Sequence, residues 1–272
     1  MRFGTDGVRG VANSQLTPAY TLALGRAAAR VLRPERVLIG RDTRRSGPLL
    51  EAALAAGLAA EGVDVELLGV LPTPAVAHAA AVEQVAAAVI TASHNAFADN
   101  GIKLFSTGGR KLADDVEARI EEELATLVDP AVSGAEVGWI EPRPNAGHRY
   151  VEYLTSLFTE NCSANLSLVL DCANGAMSEV APLPCVARRT SRRVARCADG
   201  VNINADRSAT SPKSPARQSS LMAPRWGWLD GDGDRLIAVD HTGRVVDGDQ
   251  IIALLARDLR EQARPTTPWS SR

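Results

Sequence analysis

The chain has 272 residues, of which 45% are hydrophobic, and a formal net charge of −2. This length is enough for one large hydrophobic core or two smaller ones. The nearly balanced charge argues against a general nucleic-acid-binding surface, and no uninterrupted apolar run could span a bilayer. The N-terminal RFGTDGVRG contains no apolar signal core. We therefore expect a cytoplasmic protein with neither nucleic acid nor membrane as a partner.

The first half of the sequence alternates between strand and helix patterns. Thr17 is suited to an N-cap and Pro18 to the first helical position, which predicts a helix up to Leu32. The other predicted elements are a strand at 36–40, a helix at 47–62, a strand at 63–69, a helix at 73–82, a strand at 84–90 and a helix at 113–128. This order indicates a layered α/β domain.

A second α/β unit follows a turn-rich segment, 129–147, which predicts a domain boundary near residue 145. The elements predicted beyond it are a helix at 148–158, a buried strand with an Asn-Gly turn at 166–176, and a strand, turn, strand and helix over 235–259. The four cysteines have neither C-x-x-C spacing nor a compact framework, so we expect reduced thiols at Cys162, Cys172, Cys185 and Cys197.

One segment, 181–225, differs from the rest in charge. It has nine Lys and Arg residues against Asp199 and Asp206, a local net charge of about +7. It is either a functional basic arm or a disordered linker. The absence of aromatic residues between Arg188 and Arg217 favours the linker.

A candidate nucleophile lies in VITASHNAFADNGIK, residues 89–103. An apolar strand ends at Ile90 and is followed by a predicted loop that contains Ser93, His94 and the segment 99–101, with Lys103 just beyond. A serine at such a strand end is often only a capping residue. A serine that carries a phosphoryl group would instead offer an acceptor oxygen to Mg²⁺.

A candidate metal site lies in DGDGDR, where glycines alternate with Asp230, Asp232 and Asp234. Such carboxylates repel one another by about 1 kcal/mol per pair at about 4 Å in water, and a cation would offset this repulsion. Oxygen ligands suit Mg²⁺, Mn²⁺ or Ca²⁺. A calcium helix-loop-helix site is excluded because Arg235 and His241 occupy the positions that need Gly and Glu. A solvated acidic turn is the remaining alternative.

Four motifs together resemble the successive signatures of the α-D-phosphohexomutases: FGTDGVRG at 3–10, GRDTRRSG at 40–47, TASHNAFADNGIK at 91–103 and DGDGDR at 230–235. The SHN and DNGIK elements favour the branch that acts on glucosamine phosphates. The resemblance implies layered mixed-sheet α/β domains, of which only the first is complete. It also implies interconversion of glucosamine 6-phosphate and glucosamine 1-phosphate through a phosphoserine and a 1,6-bisphosphate.

The same resemblance assigns roles to individual residues. Ser93 would be the phosphoserine, and its phosphate would complete a Mg²⁺ site formed by Asp230, Asp232 and Asp234. Proton transfer and charge stabilisation would fall to His94 and Lys103, and Arg9 would also be catalytic. Thr5, Arg9 and Arg235 would bind the phosphate of the sugar substrate.

The sequence also departs from the family pattern. Ala96 replaces the usual proline, and the segments flanking DGVNINA in 181–225 show neither helical nor strand periodicity, which suggests a locally shifted reading frame. We expect domain I at 1–145, a disrupted domain II at 146–250, the start of domain III at 251–272 and no domain IV. No GExSGH loop or C-terminal phosphate-binding loop is found. A non-catalytic phosphosugar-binding or metal-binding fragment without mutase turnover therefore stays open as the alternative, and so does oligomer formation.

Overall fold

The computed structural model describes residues 1–4, 6–128, 132–157, 168–181, 191–194, 198–205, 226–240 and 242–261, which form two α/β units. The first unit contains β1 (Val8–Val11), α1 (Pro18–Leu32), β2 (Arg36–Arg41), α2 (Gly47–Ala59), β3 (Asp64–Val70), α3 (Thr73–Glu83), β4 (Ala86–Ile90), β5 (Asp99–Ser106), β6 (Arg110–Lys111), α4 (Asp114–Ala125) and β7 (Ile140–Pro142). The second contains α5 (Ala146–Ser156), β8 (Leu168–Asp171), α6 (Met177–Val180), β9 (Ser191–Val194), β10 (Trp226–Leu229), β11 (Leu236–Val239), β12 (Val245–Val246) and α7 (Gly248–Glu261).

The first unit is a three-layer domain around a mixed sheet of order β1-β5-β4-β2-β3-β7, with β6 paired to β5. Strands β4, β2, β3 and β7 run parallel, whereas β5 is antiparallel to both of its neighbours. Successive strand residues point to opposite faces. Thus Ile39 packs on one face with Leu24 and Leu54, while Leu38 packs on the other with Val76 and Tyr150.

The first helix confirms its predicted start. The Thr17 side chain accepts a hydrogen bond from the backbone N of Tyr20 at 3.2 Å, and Pro18 begins the helix. The remaining helices and parallel strands predicted for 36–128 are also present, with ends that differ by at most three residues. The α/β class predicted from their alternation is confirmed.

Two predictions for the first unit are wrong in detail. Residues 99–101, predicted as loop, begin β5, because their backbone pairs with Val11, Gly10 and Arg9 of β1. The turn-rich segment before residue 145 contains a strand, β7, which adds to the sheet edge beside β3. Both errors concern short segments whose pairing partners are distant in sequence.

The second unit has a sheet of order β12-β11-β10-β8-β9. Strand β8 pairs in parallel with both β10 and the edge strand β9, whereas β11 is antiparallel to both β10 and β12. The predicted strand, turn, strand and helix after residue 235 are confirmed. Cys172 is buried, and the other three cysteines lie outside the described residues, so the expected thiol state of all four stays a prediction.

Most of 181–225 lies outside the described residues, and with it most of the predicted linker. Within that segment, residues 191–194 form β9, which pairs with β8. This corrects the expectation that a stretch without strand periodicity would contain no strand. Across the described ranges, no helix combines the length and the apolar character that a bilayer crossing needs.

Close packing of α1 on α2 leads to a stability prediction. A Cβ atom on Gly57 would lie 2.1 Å from the backbone oxygen of Leu22, and neither helix backbone can move without disturbing the core. We expect Gly57→Ala to lower the free energy of unfolding by about 1–3 kcal/mol despite its better helix propensity. Urea titration followed by circular dichroism measures this. The control is Gly248→Ala, where an added Cβ meets nothing within 4 Å. Equal midpoints for the two variants would contradict the packing argument.

Candidate active site

Ser93 occupies an unusual backbone conformation directly after β4. Its φ is +51°, in the left-handed region that disfavours residues with a Cβ by about 1–2 kcal/mol. Its backbone N donates to Thr91 Oγ1 at 2.9 Å, and Thr91 Oγ1 donates to buried Asp42 Oδ2 at 2.7 Å. The side chain is thereby turned toward the second unit, where Ser93 Oγ donates to Asp230 Oδ2 at 2.7 Å.

The three predicted metal ligands converge on one point. Carboxylate oxygens of Asp230, Asp232 and Asp234 all lie within 4.8 Å of one another, in the loop that follows β10. Asp230 and Asp232 are buried, whereas Asp234 is exposed. The acidic turn is therefore not simply solvated.

The contacts of Asp232 show most directly whether the carboxylate cluster could bind a cation. Its Oδ2 accepts hydrogen bonds from Thr73 Oγ1 at 2.7 Å and from Lys103 Nζ at 3.0 Å. Its Oδ1 is buried and has no hydrogen-bond partner among the described residues. An unpaired buried carboxylate oxygen beside two further carboxylates is the donor set that a hard divalent cation prefers. The residues present thus fit a metal ion.

Lys103 provides a fixed positive charge beside the carboxylates. Its Nζ lies 2.8 Å from Asp6 Oδ2, 3.0 Å from Asp232 Oδ2 and 3.3 Å from Asp234 Oδ2, and the side chain is buried. Burial alone would lower the pKa of Lys103, but Asp232, Asp6 and Asp234 outweigh it and raise the pKa. Lys103 is consequently an ammonium ion at neutral pH.

The carboxylates differ in proton affinity. Burial raises the pKa of Asp230 from 3.8 to about 7, and the charges of Asp232 and Asp234 act in the same direction. Burial also acts to raise the pKa of Asp232, but Lys103 and the hydrogen bond from Thr73 lower it overall. Asp232 is thus ionised at neutral pH, while Asp230 keeps a proton over part of the neutral range.

Divalent cation binding should therefore depend on pH. A cation must displace the proton from Asp230, so we expect affinity to rise by up to about tenfold per pH unit below its raised pKa, and to level off above pH ~7. Calorimetric Mg²⁺ titration in buffers of different protonation enthalpy measures the released proton. Asp230→Asn should abolish the release. Equal affinities at about pH 6 and about pH 8 would contradict this assignment.

A histidine side chain lies beside the serine hydroxyl. His94 Nδ1 lies 3.5 Å from Ser93 Oγ. Burial lowers the pKa of His94, and the nearby positive charges of Arg235 and Arg9 lower it further. A neutral imidazole thus lies beside the hydroxyl, and Arg9 and Arg235 add positive charge near that imidazole, an arrangement that favours a phosphate group.

The structure brings together Ser93, His94, Lys103, Arg9, Arg235 and the three aspartates, while Thr5 lies outside the described residues. Sequence reasoning missed three partners that position them: Asp6, Thr73 and Asp42. Asp6 accepts from both Arg9 and Lys103. Asp42 could have been predicted from the sequence. It directly follows β2, and the carboxyl ends of the neighbouring parallel strands β2 and β4 meet at one sheet edge.

Comparison with known proteins agrees with this geometry. Residues 1–129 match the family model for phosphoglucomutase/phosphomannomutase, alpha/beta/alpha domain I. A phosphoglucomutase/phosphomannomutase family protein from Burkholderia thailandensis has a similar structure, with a TM-score of 0.82 and 27% identity, over 96% of this chain and 59% of that one. N-acetylphosphoglucosamine mutase from Aspergillus fumigatus, solved with GlcNAc-6P and magnesium, shares the fold at a TM-score of 0.62 and 18% identity, over 97% of this chain and 55% of that one.

Residues 1–129, which contain the serine loop, are thus similar to domain I of the phosphoglucomutases and phosphomannomutases, and the aspartate loop of the second unit lies against that serine loop. Over most of its length the chain is similar to phosphoglucosamine mutases. It is 45% identical to that of Desulforudis audaxviator, over 96% of this chain and 60% of the relative, and 45% identical to that of Aeromonas salmonicida, over 96% and 61%. The chain thus spans about three fifths of the length of these relatives.

Proposed function

We propose that this site transfers phosphoryl groups through Ser93 and that the chain interconverts glucosamine 6-phosphate and glucosamine 1-phosphate. The observation that carries the proposal is the 2.7 Å hydrogen bond between Ser93 Oγ and Asp230, at the edge of a carboxylate cluster with an unpaired buried oxygen. Similarity to phosphoglucosamine mutases supports the choice of an amino sugar phosphate.

Each residue has a role in this scheme. A sugar hydroxyl attacks the phosphorus of phospho-Ser93, the bond from phosphorus to Ser93 Oγ breaks, and a 1,6-bisphosphate forms. In this proposal neutral His94, 3.5 Å from Ser93 Oγ, accepts the hydroxyl proton, and the Lys103 ammonium stabilises negative charge on the transferring group. Ser93 Oγ then attacks the phosphorus of the other phosphate, the bond from that phosphorus to the sugar oxygen breaks, and the sugar oxygen takes the proton back from His94.

The remaining residues bind either the metal ion or the phosphate of the sugar. Asp230, Asp232, Asp234 and a phosphate oxygen on Ser93 would hold Mg²⁺, which neutralises charge on a phosphoryl group when bound. Arg9 and Arg235, together with Thr5, bind the phosphate of the sugar. We also propose that the chain acts in the cytoplasm and that its domains divide as 1–145, 146–250 and 251–272.

A coupled assay for glucosamine 1-phosphate tests the function directly. The full chain is supplied with glucosamine 6-phosphate, Mg²⁺ and a trace of glucose 1,6-bisphosphate. We expect product to form, and Asp232→Ala to remove most of the rate together with Mg²⁺ affinity. Asp249→Ala, at an exposed carboxylate on α7, is the matched control and should behave as wild type. No product from wild-type chain whose Ser93 is shown to be phosphorylated would overturn the mutase proposal.

A further inference from the structure

The Ser93 loop is held by a buried arginine that the proposed chemistry does not use. Arg44 is 1% exposed. Its Nη2 donates to the backbone oxygens of Ser93 at 3.1 Å and Asn95 at 2.9 Å. Its Nη1 donates to the backbone oxygens of Asp99, at 2.9 Å, and of Ala96. One guanidinium group thus caps four carbonyls and gives the loop a single shape.

The same arginine is fixed from its other side by Asp42. Arg44 Nε donates to Asp42 Oδ2 at 2.9 Å, and the Arg44 backbone N donates to Oδ1 at 2.9 Å. Asp42 Oδ2 also accepts from Thr91 Oγ1, which accepts from the backbone N of Ser93. The buried ion pair of Asp42 and Arg44 thus holds Ser93 at both backbone atoms, at the N through Thr91 and at the O through Arg44.

An asparagine from the second unit reaches the same two carbonyls. Asn204 Nδ2 donates to the backbone oxygens of Ser93 at 2.7 Å and Asn95 at 3.0 Å, and the residue is 9% exposed. The aspartate loop packs against this contact, since a Cβ on Gly231 would lie 2.7 Å from Ser93 O and 2.8 Å from Asn204 Nδ2. Each carbonyl has two lone pairs, so each can accept from Arg44 and Asn204 together.

We propose that Arg44 and Asn204 are positioning residues, which jointly hold Ser93 in its left-handed conformation with Oγ directed at Asp230. The inference rests on the proposed phosphoryl transfer, and neither residue touches the reacting atoms. Arg44 fixes the loop within the first unit. Asn204 makes the alignment of the Ser93 loop depend on the second unit, so Ser93 Oγ points at Asp230 only when the aspartate loop is in place. Misplacement of a reacting atom by about 1 Å can cost about 100-fold in rate.

Asn204→Asp tests the inference. The variant keeps the shape of the side chain and tolerates the φ of +52° at this position, but it replaces the donor by a carboxylate that repels both carbonyls. The control is Asn145→Asp, at an exposed residue that also has positive φ, +66°. We expect single-turnover transfer from phospho-Ser93 to glucosamine 6-phosphate to fall about 100-fold in Asn204→Asp and to stay unchanged in Asn145→Asp.

Two further readouts separate positioning from a general loss of structure. Asn204→Asp should still unfold cooperatively in urea, at a lower midpoint because it buries a carboxylate, and should still bind Mg²⁺, while backbone amides of residues 91–99 exchange faster with deuterium than amides elsewhere in the variant. Arg44→Lys keeps a charge beside Asp42 but cannot span four carbonyls, so it should show the same faster exchange and a similar loss of rate. If Asn204→Asp does not fold, Asn204→Gly replaces it, since glycine also accepts the positive φ.

The outcomes are distinguishable. Unchanged exchange in residues 91–99, or an unchanged transfer rate, in both the Asn204 and Arg44 variants would overturn the positioning roles. If wild type itself shows no transfer, the proposed function fails, and the positioning roles for that chemistry fail with it. In that case faster exchange in the variants would still show that the two residues hold the loop.

Discussion

We expect Ser93→Ala to remove phosphate incorporation completely. Among the described residues, Ser93 has the hydroxyl bonded to Asp230 with basic groups beside it, so its loss leaves the phosphoryl group without an acceptor. Intact-mass measurement after incubation with glucose 1,6-bisphosphate and Mg²⁺ should show one added phosphate in wild type and none in the variant.

The control for this experiment is Ser14→Ala, at an exposed hydroxyl, which should incorporate phosphate like wild type. A second hydroxyl, Thr73 Oγ1, also bonds the carboxylate cluster, through Asp232. Phosphate retained in Ser93→Ala and mapped to Thr73 would therefore contradict the assignment of Ser93 as the carrier.

Lys103→Met should have the largest effect on stability. The methionine fills similar volume but leaves Asp6, Asp232 and Asp234 without their shared ammonium. We expect the free energy of unfolding without metal to fall by about 3–5 kcal/mol, because a buried charge is left uncompensated. Added Mg²⁺ should recover part of this loss by supplying positive charge. Urea titrations with and without Mg²⁺ measure both effects.

The matched control is Lys111→Met, at an exposed lysine on β6, whose stability should change by less than about 0.5 kcal/mol. The same titrations include this variant. If Lys103→Met and Lys111→Met unfold at the same urea concentration without Mg²⁺, Lys103 does not compensate the carboxylates in the way that the distances indicate.

Local patterns in the sequence were sufficient for much of this structure. The alternation of helix and strand patterns predicts the first unit, because apolar periodicity reflects which face of each element is buried. The repeated Asp-Gly pattern predicts the carboxylate cluster, because the intervening glycines let the backbone fold so that alternate carboxylates converge. Ser93 was identified by its position after a buried strand and by the motif around it.

Other features were not predictable because they join distant parts of the chain. Thr73 and Asp232, which share a 2.7 Å hydrogen bond, are separated by 159 positions, and Asn204 and Ser93 by 111. Strand β7 is three residues long and is stabilised by pairing with β3 rather than by its own composition. Periodicity within a window contains no information about such partners, and only the folded sheet order brings them together.

Phosphoryl transfer from isolated phospho-Ser93 chain to glucosamine 6-phosphate is the measurement that tests the central claim most directly. The phosphorylated chain is freed of bisphosphate and mixed with glucosamine 6-phosphate and Mg²⁺, and the phosphate is followed by ³¹P NMR and intact mass. Our account predicts that the phosphate leaves Ser93 and appears as glucosamine 1,6-bisphosphate. Phosphate that stays on Ser93, or that appears only as inorganic phosphate, would contradict it.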